Sequence, residues 1–84
     1  MQLRDSDGHT WSVTATAFDM RRGRGVFEFR DERGIPRTAS LSMLTLCSGA
    51  RARRWLRFHA GIDVEFSREQ HVGDLGRLAR ELNR

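Results

Sequence analysis

Two periods run along this chain, one through its first two thirds and another at its end. From Trp11 to Phe18 the side chains alternate, Trp11, Val13, Ala15 and Ala17 to one side and Ser12, Thr14 and Thr16 to the other. A period of two with β-branched and aromatic content predicts a half-buried strand. The turn before it is marked by the Asp-Gly pair within Asp5 to His9, with extended chain expected on both flanks. Asp19 to Gly25 holds four charges and two glycines and predicts a loop or a wide hairpin connection. Val26 to Arg30 alternates again, Phe27 and Phe29 inward, and Asp31-Glu32-Arg33-Gly34 predicts a hairpin turn. The returning strand starts near Ile35. Pro36 has no N–H for a ladder, which places it at a strand start or on a sheet edge.

Ala39 to Cys47 fits neither period. Ser40 could cap a short helix, whereas Leu44 and Leu46 alternate as in a strand; a helix or irregular structure is the expectation, buried in either case. Ala52 to Ala60 is expected to form another strand, with Ala52, Arg54, Leu56, Phe58 and Ala60 on one face and Arg53, Trp55, Arg57 and His59 on the other. Gly61 permits a bend, and Val64 and Phe66 then point together.

The second period occupies Ser67 to Arg84. Val72, Leu75, Leu78, Ala79 and Leu82 lie on one arc of a helix, and Asp74, Arg77, Arg80, Glu81 and Arg84 lie on the opposite arc. Ser67 and Gln70 have the spacing of a capping box, with Phe66 placed to pack near His71. Such a stripe is buried only against something apolar. The expected fold is therefore α+β: a small, meander-like antiparallel sheet of four or five strands packed against one C-terminal α-helix, residues 1–84 forming a single domain.

Length and composition narrow the functional classes. Eighty-four residues bury only about 60 to 65% of the surface of the unfolded chain, so stability is expected to be modest. The single cysteine, Cys47, precludes an intrachain disulfide and belongs to no zinc-like spacing. Adjacent to an apolar run, it is expected to be a small buried hydrophobe. The polar N-terminus offers no signal peptide and no stretch reaches the 18 or so apolar residues of a membrane span. A cytoplasmic protein without membrane attachment is the expectation.

The formal charge of +4 is unevenly placed. All 15 basic residues are arginine, and the segments Met1–Glu32 and Asp63–Arg84 each sum to −1. Arg33, Arg37, Arg51, Arg53, Arg54 and Arg57 lie between them with no acid, so the whole excess sits there and is expected to attract an anionic partner. Catalytic signatures are missing. There is no glycine-rich phosphate loop, no His-Glu-x-x-His, no paired carboxylates and no serine elbow, and His9, His59 and His71 follow no metal-ligand spacing. Neither an enzyme, a cofactor nor a metal site is expected.

One group of residues carries possible binding chemistry: Arg51, Arg53, Arg54, Trp55, Arg57 and His59, with Arg37 and Arg33 on a neighbouring strand. An exposed tryptophan among arginines has the composition of a protein-binding hot spot. The first functional expectation is a small accessory or regulatory domain that binds an acidic protein. Homo-oligomerisation is weaker, because an arginine face repels its own copy. An alternative is single-stranded nucleic acid, bound on a basic sheet face with arginines on phosphates and the indole stacked on a base.

Overall fold

A computed structural model of the chain describes residues 1–66 and 69–82, the side chains of 69–71 excepted. The four strands are β1 (Gln2–Arg4), β2 (Thr10–Asp19), β3 (Arg24–Arg30) and β4 (Pro36–Ser42). They pair in chain order, each antiparallel to the next. A single 3-10 turn at Thr45–Cys47 leads into helix α1 (Gly49–Ala60), and helix α2 (Glu69–Glu81) follows. The fold is the expected α+β meander sheet, with two helices on its apolar face instead of one.

The alternation of the first half of the chain builds that face. Leu3, Trp11, Val13, Phe27, Phe29, Ala39 and Leu41 point inward and are buried, while Ser12, Thr14, Arg30 and Thr38 face solvent. The strict alternation expected of β2 fails after Ala15, which pairs with Phe27, because Ala17 pairs with Val26 and Thr16 is left as an extra residue. The Thr16 hydroxyl donates to the Val26 carbonyl across this bulge. One additional residue reverses the side-chain parity, so Ala17 is exposed and Phe18 turns toward the core. Opposite Phe18 stands Gly25, where a Cβ would come within 2.9 Å of both the Ala79 Cβ and the Phe27 ring. Glycine here lets α2 approach the sheet closely.

The hairpin at Asp31 forms as the sequence predicts, Asp31 Oδ1 accepting from the amides of Arg33 and Ile35 at 2.9 Å. These amide bonds, that of Ile35 foremost, hold the Asp31 carboxyl below its usual range despite some desolvation. Pro36 opens β4, an edge strand, as expected. Between Ala39 and Cys47 the expectation of helix or irregular structure holds from Met43 onward, as a turn and the 3-10 helix; it is corrected for Ala39 to Ser42, which belong to β4, so that Ser40 is a strand residue rather than a cap. Ser42 Oγ then accepts from the Thr45 amide at 3.0 Å and starts the 3-10 turn. Nor is this segment buried throughout, because Leu44 is 69% exposed and Cys47 is exposed, its thiol donating to the Met43 carbonyl.

The largest correction concerns Ala52–Ala60, which is helical and not a strand. The segment contains no β-branched residue and is rich in alanine, arginine and leucine, all good helix formers. Ser48 caps it in extended conformation, its side chain accepting from the Arg51 amide, and Gly61 ends it at φ 67° with its N–H on the Leu56 carbonyl. Ala52 and Leu56 pack on the core. In α2 the predicted stripe is confirmed for Val72, Leu75 and Ala79, which are buried; Leu82, just past the end of the helix, is 48% exposed. Arg77 pairs with Asp74 on the outer side. The capping box at Ser67 and Gln70, and the packing of Phe66 near His71, lie outside the described residues.

Both sheet edges are covered in part. Beside β1, Asp5 bridges Val64, the Glu65 amide donates to the Arg4 carbonyl at 3.2 Å and the Ser6 amide to the Asp63 carbonyl at 2.9 Å. Beside β4, the Ser40 carbonyl accepts from Trp55 Nε1 and from Arg24 Nη2, both at 3.0 Å. With Pro36 at one end and an indole over the middle, β4 is a poor template for another strand.

Candidate binding surface

Helical geometry re-sorts the residues that the strand reading had divided. At 100° per residue, Ala52 and Leu56 define the inner side of α1, and Arg51, Arg54, Trp55 and Phe58, spaced i, i+3, i+4 and i+7, form an outward stripe. Phe58, which the strand reading sets on one face with Leu56, is 85% exposed. This residue was missed as a surface group, although the i+7 spacing from Arg51 was there to be read. The flat basic sheet face is likewise corrected: the arginines sit on a helix, and Trp11, Phe27 and Phe29 of the sheet are all on its buried side.

Two of the candidate arginines serve the fold. Arg53 forks onto Asp63, Nε to Oδ1 at 2.6 Å and Nη2 to Oδ2 at 3.2 Å, and Arg57 Nη2 reaches the same Oδ1 at 3.4 Å. The Arg53 hydrogen bonds lower the Asp63 carboxyl from its ordinary 3.8 to about 2, with the nearby charges adding to the effect, and Asp63 in turn raises Arg53. Arg37 is exposed but is also engaged within the chain. Its Nη1 donates to the carbonyls of Ala60 and Gly61 at 3.0 and 3.1 Å, and its guanidinium lies 5.5 Å from the Trp11 ring centroid. A cation there satisfies the exposed carbonyls of a helix end. Arg33 stays at the hairpin, 3.9 Å from Asp31.

The pairing of Asp63 makes stability depend on acid. A carboxyl with a folded value below its unfolded one stabilises the native state above the unfolded value and ceases to do so as pH falls through the folded value. Asp63→Asn is therefore expected to melt a few degrees below the parent at neutral pH. The difference should shrink below pH 3.8 and be lost only below about pH 2, as followed by circular dichroism. A pH-independent difference would show that the pair does not supply the stabilisation.

Arg51 and Arg54 line an open, shallow cleft between the 3-10 turn and α1, together with Thr45, Trp55, Phe58, His59 and the Asp63-paired Arg57. Trp55 is half-buried, fixed by its bond to Ser40 and by Arg24, whose guanidinium stands 5.4 Å from the indole centroid and whose Nε donates to Ser40 Oγ. Arg24, which the sequence places in the Asp19 to Gly25 loop, is instead the first residue of β3, and its contact with Ser40 depends on register across β3 and β4. His59 stacks on Trp55 at a centroid distance of 3.9 Å and meets the edge of Phe58 at 5.0 Å. Arg51 and Arg54 make no ion pair among the described residues. Among the same residues no helix is long and apolar enough to cross a membrane. No protein-family model, curated protein or solved structure matches the chain.

Proposed function

We propose that this chain is a non-enzymatic accessory or regulatory domain that binds an acidic protein partner through the outward face of α1. The observation that carries the reading is Phe58, 85% exposed beside Trp55 and close to Arg51 and Arg54, which have no counter-ion among the described residues. Burying a phenylalanine side chain is worth roughly 1.5 to 3 kcal/mol, and this one is held in water by a helix already anchored on its other side. Aromatic and arginine side chains together are enriched at binding hot spots. Arg51 and Arg54 favour an acidic partner and disfavour a second copy of the same face. The cytoplasm remains the proposed location.

The decisive comparison is capture from a host extract by the parent protein and by an Arg51→Glu, Arg54→Glu double variant, each with and without nuclease. The reading expects an acidic protein, identified by mass spectrometry, that survives nuclease and is lost with the double variant. Capture abolished by nuclease, with binding to single-stranded oligonucleotides that weakens steeply with salt, would replace it with the nucleic-acid reading.

A further inference from the structure

The cleft has a direction as well as a charge. Arg51 and Arg54, which make no ion pair among the described residues, precede its apolar groups, Trp55 and Phe58 with the stacked His59, along α1, while Arg57 is turned to Asp63. At 1.5 Å per residue, Phe58 is about 6 Å along the axis from Arg54 and about 10 Å from Arg51. The floor is shallow, one wall is the single turn that carries Thr45, and the apolar part amounts to two aromatic rings and an imidazole. Stable interfaces between folded proteins engage roughly 20 to 30 residues a side. A footprint this small suits one segment of chain.

We infer that the partner docks here by a short extended acidic segment whose carboxylates pair with Arg51 and Arg54 while one aromatic or aliphatic side chain packs on Phe58 and Trp55. The inference rests on the reading above and adds a spacing to it. An extended chain advances about 3.3 Å per residue and alternates its side chains, so carboxylates on the same face as the apolar side chain stand roughly two and four positions from it, the reach of the side chains covering the difference. In a helical segment the same distances would need about four and seven positions. The extended form is favoured because so short a helix is marginal in water and gains little from a shallow cleft. Arg24 and Ser40 hold the indole in place before binding, so little ordering is required on this side.

Fluorescein-labelled peptides of about ten residues test it by fluorescence polarisation, each carrying two Glu and one Phe in a Gly-Ser background at varied separations. Affinity is expected to peak when the glutamates are roughly two and four positions from the Phe, and to fall about tenfold when that Phe is replaced by serine. An optimum at about four and seven positions would overturn the extended form. Binding that follows glutamate content alone, indifferent to the Phe and to spacing, would overturn the inference and leave the acidic-partner reading standing. If no acidic peptide binds, glutamate-rich controls included, both fail together.

Discussion

Replacing Phe27 by alanine is expected to destabilise the protein by about 3 to 5 kcal/mol, through lost burial and through the cavity left behind. Phe27 is fully buried, flanked by Ala15 on β2 and Ala39 on β4 and lying beside Gly25 where α2 comes closest. Neither alanine can extend to fill the space. A domain of this length has a total stability of roughly 4 to 13 kcal/mol, so the loss is a large fraction and leaves a marginal fold. Urea unfolding followed by circular dichroism should show a lower midpoint at unchanged slope. A midpoint shift equivalent to less than about 1 kcal/mol would place the core elsewhere.

Arg54→Pro should cost about 3 kcal/mol or more although the arginine side chain is exposed. The site is the middle of α1, where proline removes an amide hydrogen bond and its ring meets the carbonyl one turn earlier. Breaking α1 there also displaces Leu56 from the core and Trp55 from the Ser40 carbonyl. Arg54→Ala is the control. Alanine is the best helix former, so melting should stay within about 0.5 kcal/mol of the parent while binding of an acidic ligand falls. Equal melting of the two variants would contradict a helix at this position.

The contrast between the two helices explains how much of the fold was legible in the sequence. In α2 the steps from Val72 to Leu75 to Leu78 to Ala79 are odd in number, which no alternating strand can place on one side. In α1 the buried Ala52 and Leu56 are four apart, and Ala60 repeats the step. Four is both two strand periods and about one helical turn, so position alone does not separate the two readings. The signals that do separate them were Ser48 before the segment, Gly61 after it and the absence of valine, isoleucine and threonine within it.

Much of the candidate surface was legible by composition and little of it by geometry. The arginine cluster around Trp55 is real as a neighbourhood, yet its division into structural and free members is set at long range. Arg53 meets Asp63 only because the chain reverses at Gly61, and Arg37 meets the end of α1 only because β4 runs beneath it. The bulge at Thr16 depends similarly on pairing with β3, which no local pattern records.

The measurement that bears most directly on the account is melting and ligand binding of the same Phe58→Ser protein. With Phe58 outside the core, the melting free energy should stay within about 0.5 kcal/mol of the parent, while affinity for the acidic partner or for the glutamate-phenylalanine peptide falls about tenfold. A protein that melts much earlier, or one that binds as tightly as the parent, would contradict the assignment of this helix face as the binding surface.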